Sequence, residues 1–202
     1  MASTRKSPSN STLIARVSAV LKQHVTSGDR VAAGLSGGVD SVVLFDLLWR
    51  LTGKLGFELA ALHVDHQINP ASGRWALFCR ALCRKRGVSC KVVKVIVPRG
   101  NSLEAAARLA RYRAFAAQPA NFIALGHNLD DQAETVLLQL LRGGGIKGLS
   151  AMPVLRQAGG GRPEAEGTPL RGPNPPPILR PLLDAPRSEI IAYARRRKLE
   201  WI

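Results

Sequence analysis

Six consecutive residues have the types needed to grip a phosphate: Ser36-Gly37-Gly38-Val39-Asp40-Ser41. Two adjacent glycines let the backbone turn tightly and bring its N–H groups against oxyanions. Ser36 and Ser41 add hydroxyls, and a helix opening near Val39 adds the partial positive charge of its amino end. Asp40 conflicts with that role, because a carboxylate repels phosphate unless a cation stands between them. Mg²⁺ held by Asp40 would resolve the conflict. A plain Gly-Gly turn with a capping aspartate is the simpler reading. The buried apolar run before the glycines and the helical pattern after them favour phosphate. The chain contains no Gly-x-x-x-x-Gly-Lys-Ser/Thr stretch, so this is not a Walker loop.

A second group is acidic. His127, Asp130, Asp131 and Glu134 follow an apolar run and open a helix. Asp130 and Glu134 are four apart and Asp131 and Glu134 three apart, so at least one carboxylate pair shares a face. An acidic helix start stabilised by the dipole explains such residues without any chemistry. Two adjacent aspartates beside a histidine point to a site in which Asp40 and Asp131 hold Mg²⁺. His127 or a carboxylate would then assist proton removal from an incoming nucleophile. Arg108 and Arg111 lie at i, i+3 on an Ala-rich helix beside Tyr112, and the planar guanidinium donates in pairs to phosphate. A solvated basic face is the alternative. His63 and His66 have metal-ligand spacing but lack a third partner, which leaves packing or nucleotide contact.

These residues need a frame that brings loops together. Apolar runs at 31–35, 58–64, 90–97 and 121–126 alternate with helical patterns at 13–24, 39–51, 72–86, 103–117 and 129–141. Short apolar strands alternating with helices predict an α/β fold, a doubly wound parallel sheet covered on both faces. Right-handed crossovers put every strand's carboxyl end on one edge, where ligands bind at the reversal of strand order. Ser72 is expected to cap the third helix and Asn101-Ser102 the fourth, with Gly143-Gly144-Gly145 ending the fifth. Residues 1–12 read as a disordered start and 13–155 as the ATP-binding catalytic domain. Residues 156–177, rich in Gly and Pro, read as a flexible insertion, and 178–202 as the start of a following helical segment, cut short.

Composition sets the partners. Of 202 residues, 29 are Lys or Arg and 14 Asp or Glu, a formal charge of +15. Between His66 and Leu129 the only acid is Glu104, against eleven bases. Such a field attracts a polyanion, foremost a nucleic acid. No apolar run is long enough for a membrane span, and the polar start lacks the apolar stretch of a secretory signal, so the reading is cytoplasmic. Cys79, Cys83 and Cys90 are too few for a disulfide framework. Cys79 and Cys83 share a helix face and read as small buried side chains.

The loop 36–41 resembles the signature of the PP-loop family, the N-type ATP pyrophosphatases, which adenylate an oxygen and release pyrophosphate before a nucleophile displaces AMP. The resemblance narrows with His63-Val64-Asp65-His66, with Glu104, Arg108, Arg111 and Tyr112, and with Gly126-His127-Asn128-Leu129-Asp130-Asp131-Gln132-Ala133-Glu134-Thr135. Leu141-Arg142-Gly143-Gly144-Gly145-Ile146-Lys147-Gly148-Leu149 and Ile178-Leu179-Arg180-Pro181-Leu182-Leu183 extend it. Together they are similar to the tRNA(Ile)-lysidine synthetase branch from Val31 onward. Asp65, where that branch often has histidine, and the unmixed glycine run depart from it. The resemblance implies ATP and Mg²⁺ as cofactors and the wobble cytidine of tRNA(Ile) and free L-lysine as substrates. It also implies a possible homodimer. Ser36, Gly37, Gly38, Val39, Asp40, Ser41, His63, Arg108 and Gly126 would meet ATP. Asp40, Asp131, His127 and Glu134 would be catalytic, and Glu104, Arg111, Tyr112, Asp130, Arg142 and Lys147 would face tRNA. Two alternatives stay open, a tRNA thiolase of the same family and a non-catalytic nucleotide- or RNA-binding module. Thiolases tend to carry paired cysteines, which this chain lacks as C-x-x-C. A pure binder gains little from keeping Asp40, Asp130 and Asp131 near phosphate.

Overall fold

The computed structural model describes residues 12–97, 103–141, 151–157 and 175–202. In chain order the elements are α1 (Leu13–His24), β1 (Arg30–Gly34), α2 (Val39–Leu55), β2 (Glu58–Asp65), α3 (Ser72–Lys85), β3 (Ser89–Lys94), α4 (Leu103–Ala116), β4 (Phe122–Ala124), α5 (Leu129–Leu141), β5 (Leu155–Arg156), β6 (Ile178–Leu179) and α6 (Arg187–Arg196). The strands form one sheet in the order β3-β2-β1-β4-β6-β5. All neighbours run parallel except β5, which pairs antiparallel with β6. The expected doubly wound sheet is therefore present, with one antiparallel edge strand.

Alternation along β1 assigns the faces. Val31 and Ala33 point into a core shared with α1, α2, α3 and α6, while Ala32 points to the other side, against Phe115 of α4 and Ile123 of β4. Helix α2 is the centre of the first core. Leu44, Leu47 and Leu48 are wholly buried, each contributing roughly 1.5–3 kcal/mol by leaving water. From β1 the chain winds outward through β2 to β3, then crosses back to β4 and winds the other way. The strand order thus reverses between β1 and β4, and the loops after these two strands open a crevice there.

Three local expectations change. Ser72 does not cap α3: it is the first helical residue, and Asn69 starts the helix by accepting the Ala71 N–H on Oδ1 (2.8 Å) and the Ser72 N–H on its carbonyl (2.9 Å). Arg156, assigned to the flexible insertion, belongs to edge strand β5. Residues 178–202 are not peripheral to the sheet. Ile178 and Leu179 pair with Ile123 and Ala124, and α6 packs on α2 with Ile190 and Ala194 wholly buried. Two-residue strands are too short to show a period, which is why the pattern missed them. The Asn101-Ser102 cap, the glycine run 143–145, Arg142, Lys147 and residues 158–174 of the insertion lie outside the described residues.

Candidate active site

The loop after β1 makes a cluster of inward amides. Ser41 Oγ accepts the N–H groups of Ser36 (3.2 Å) and Gly37 (3.2 Å) and the Ser36 hydroxyl (3.0 Å), and donates to Gly38 O (2.8 Å). Ser36 Oγ accepts the Gly38 N–H at 3.3 Å. Hydroxyl oxygens here occupy positions that suit anionic oxygens, beside the first turn of α2 and its dipole. Gly37 has φ of +96°, a conformation side chains resist, so the glycine there is required by the turn.

The facing wall comes from the loop after β4. A Cβ on Gly126 would lie 2.9 Å from Asp40 O, 3.0 Å from Asp40 C and 3.2 Å from Ser41 N. All three are backbone atoms, so no rotamer change relieves them. Gly126→Ala is expected to push the two loops apart, lowering stability by about 1–3 kcal/mol and weakening ATP binding. Thermal melts with and without ATP check it, and an unchanged pair of melting temperatures would refute the close-approach argument.

Between these loops lies a cleft of about 590 Å³, within the range of small-molecule sites. Ser36, Gly38, Asp40, Ser41, His63, Arg111, Gly126 and His127 all line it. Gly37 and the buried Val39 support the turn without lining the cleft.

Asp40 has the properties expected of a cation ligand. Its Oδ1 is buried without a hydrogen-bond partner, and the Arg187 guanidinium lies 4.0 Å from Oδ2. Burial holds the Asp40 carboxyl above its ordinary range, Arg187 opposes that shift, and the charge of Asp131 adds to it. Asp131 is fixed by a reciprocal cap at the start of α5. Asn128 Oδ1 accepts the N–H groups of Asp130 (2.9 Å) and Asp131 (3.2 Å), while Asp131 Oδ2 accepts the Asn128 N–H (2.8 Å). The helix-cap and metal readings of Asp131 are therefore compatible: one oxygen holds the cap, leaving the other for a ligand. Two carboxylates and substrate phosphates suit Mg²⁺, which keeps few protein ligands.

His127 has a different role from a free base. The buried Arg180 donates through Nε to His127 Nδ1 (3.2 Å) and through Nη1 to Pro153 O (2.8 Å). Burial first, then the Arg180 charge, drive the His127 imidazole down to about 4. The ring is neutral at pH 7 with Nδ1 as acceptor, so its proton is on Nε2. Such a ring can donate from Nε2 and is a poor acceptor of protons. His63 is 3% exposed, with Nδ1 2.8 Å from Leu35 O and 3.4 Å from Cys79 Sγ. It donates to the backbone at the root of the phosphate loop and packs the cleft floor. His66 Nε2 accepts from Arg111 Nε at 3.5 Å, and burial pushes its imidazole down.

Other predicted residues stand outside the cleft. Arg108 lies over the Tyr112 ring, 5.4 Å from its centroid, and Tyr112 packs edge-on against Phe115. Glu104 and Glu134 are exposed on α4 and α5. Asp130 is exposed and accepts the Arg187 N–H at 3.4 Å. Three site residues had no assigned role from sequence: Asn128, Arg180 and Arg187. Arg180 carried a readable signal, a lone charge within Ile178-Leu179-Arg180-Pro181-Leu182, which the short strand buries.

Comparison with known proteins agrees with this geometry. The model of the PP-loop domain matches residues 9–202. The tRNA(Ile)-lysidine synthase of Nitrosomonas europaea is 43% identical over 90% of this chain and 38% of its own length. That of an Azoarcus species is 45% identical over 86% of this chain and 36% of its own. The chain thus spans little more than a third of these relatives. Among solved structures, a U34-tRNA thiolase of Methanococcus maripaludis superposes with a TM-score of 0.72 at 22% identity, covering 94% of this chain and 64% of that one. The NH3-dependent NAD synthetase of Campylobacter jejuni gives 0.52 at 20%, over 93% and 71%. At those identities the two structures speak to the fold alone.

Proposed function

The chain belongs to the PP-loop domain family, and from that premise we propose that it uses ATP to join lysine to C2 of the wobble cytidine of tRNA(Ile). The observation that carries the ATP step is the cluster of loop amides beside Asp40 at the switch-point cleft. The lysidine step is supported by the curated relatives at 43% and 45% identity. In this reading the amides of Ser36, Gly37 and Gly38 bind the departing phosphates. The cytidine O2 attacks the α-phosphorus and the α–β bridging bond breaks. Bound Mg²⁺, held by Asp40 and Asp131, would neutralise phosphate charge. His127 donates its Nε2 proton as a hydrogen bond to an α-phosphate oxygen. The ε-amine of lysine then attacks C2, AMP departs with the oxygen, and the amine sheds a proton. That proton leaves to His127, to a carboxylate of the acidic cluster or to solvent.

Exposed basic side chains on α3, β3 and α4, including Arg74, Arg80, Lys94, Arg108 and Arg111, would hold the tRNA backbone in a salt-sensitive way. The catalytic unit would take in 178–202 as well as 13–155, since β6 extends the sheet beside β4 and α6 brings Arg187 to Asp40. A cytoplasmic location is supported by the tRNA-modifying relatives, and a homodimer by the family resemblance. Among the described residues no helix is long and apolar enough to cross a membrane. A thiolase reading is weaker: Cys79 is wholly buried, and burial pushes its thiol up to about 12, unsuited to carrying sulfur. ATP–pyrophosphate exchange decides. Exchange that requires tRNA(Ile) but not lysine is expected; exchange driven by a small carboxylic acid would overturn the assignment.

A further inference from the structure

The segment after α6 reaches the phosphate loop. After α6 the backbone turns at Lys198, in a left-handed conformation (φ 52°), and the Leu199 N–H closes on Ala194 O at 3.0 Å. The stretch that follows ends with the Ile202 N–H donating to Gly37 O at 3.1 Å. The Ile202 side chain covers the same turn: its Cδ1 lies 2.5 Å from where a Cβ on Gly37 would be.

The direction of that hydrogen bond has a geometric effect on the site. In a planar trans peptide the carbonyl of one residue and the N–H of the next point oppositely, and no described peptide is cis. Holding Gly37 O toward Ile202 therefore turns the Gly38 N–H away from Ile202. Its partner there is Ser36 Oγ, and both residues line the cleft. A Gly-Gly turn without this tie has low barriers at two successive residues, and its amides would lose their common aim.

We propose that Ile202 is a positioning residue of the phosphate loop, its backbone N–H locking the Gly37–Gly38 peptide so that the Gly38 amide faces the incoming phosphate. The same terminal segment holds the site at a second place, since Arg187 at the start of α6 meets Asp40 with its guanidinium and Asp130 with its N–H. Everything from α6 to Ile202 thus braces the loop and the carboxylates from one side. The proposal rests on the reading of the loop as a phosphate cradle.

The test compares two variants of the full chain. Ile202→Pro removes the donor, and Ile202→Ala keeps it while shortening the side chain. Ile202→Pro should bind ATP·Mg about tenfold more weakly by titration calorimetry, the loss of one net hydrogen bond, with its melting temperature within a few degrees of the parent. Ile202→Ala should stay within about twofold. Hydrogen exchange of the 36–41 amides should accelerate in Ile202→Pro alone, a change that a purely structural role for the tail would not confine to the loop. Equal affinity and equal loop exchange in Ile202→Pro and the parent would overturn the proposal and leave the cradle reading intact. Failure of the parent itself to bind ATP would overturn the cradle reading and this proposal with it.

Discussion

Asp40→Asn is expected to lower ATP-dependent pyrophosphate exchange by about 10²–10³-fold, the scale of losing one preorganised electrostatic contact, while raising the stability of the ligand-free protein at neutral pH. The two effects share a cause. The Asp40 carboxylate is partly buried, one of its oxygens has no partner, Asp131 repels it, and its neighbouring cation, Arg187, is more than half exposed. Because the folded carboxyl titrates above the ordinary 3.8, the native state holds its proton more tightly than the unfolded state does. Asp40 therefore subtracts stability as pH rises from below 3.8 through its raised pKa, and the subtraction is complete above it. Asn has no such dependence, so the parent's melting temperature should drop below the variant's on going from pH 3 to pH 7. Adding ATP·Mg should reverse the order, because only the parent gains the mass-action stabilisation of tight binding. Parental exchange rates in the variant would remove Asp40 from the chemistry.

Asp46→Ala should be the most damaging single change to the fold, at about 3–5 kcal/mol and roughly 10 °C or more in melting temperature. Asp46 is 2% exposed in the middle of α2. Its Oδ2 accepts from Arg50 Nε (2.8 Å) and the Tyr193 hydroxyl (2.8 Å), and Arg86 Nη2 lies 2.8 Å from Oδ1, close enough for an ion pair though poorly aligned for a hydrogen bond. Arg86 also lies over the Trp49 ring at 4.2 Å, and Trp49 Nε1 donates to Arg86 O. One carboxylate thus joins α2, the end of α3 and α6. Its removal strands two guanidinium groups and a phenol that burial and the Asp46 charge hold protonated. Asp46→Asn, which still accepts from Tyr193, should recover part of the loss. Urea melts of the two variants measure this, and an Asp46→Ala midpoint matching the parent's would show that the cluster is dispensable.

Much of this site was readable because its signals are local. A Gly-Gly pair between a buried strand and a helix needs no tertiary knowledge, and neither does an Asx-led acidic helix start. The sheet was readable for the same reason, since β1, β2 and β3 have uninterrupted apolar or β-branched runs. What escaped was set by contacts distant in sequence. Asp46 and Arg50 look like an ordinary i, i+4 surface pair until α6 buries them under Tyr193. Arg180 stands out as a lone charge in an apolar run, but its partners appear only when β6 enters the sheet beside β4. His127 looks like a general base, and only the buried Arg180 guanidinium against its Nδ1 makes it a hydrogen-bond donor. Glu134 shares the motif of Asp131 but not its surroundings, being exposed one turn further along α5.

The sheet order bears on how the molecule is built during synthesis. The phosphate loop emerges early, with β1, α2 and β2 close behind it, and those neighbours in sequence are also neighbours in the sheet. The strand beside β4 and the helix that braces Asp40 and Asp130 come from residues 178–196, well after the loop, and even α1 is tied to them through the Arg16–Glu189 ion pair. Closing such long loops is the slow part of folding a parallel sheet. A nascent chain would therefore display its amide cradle before it has the means to hold it in shape. Competence to bind nucleotide then becomes a late event, gained only when the segment 178–202 has found α1, β4 and the loop.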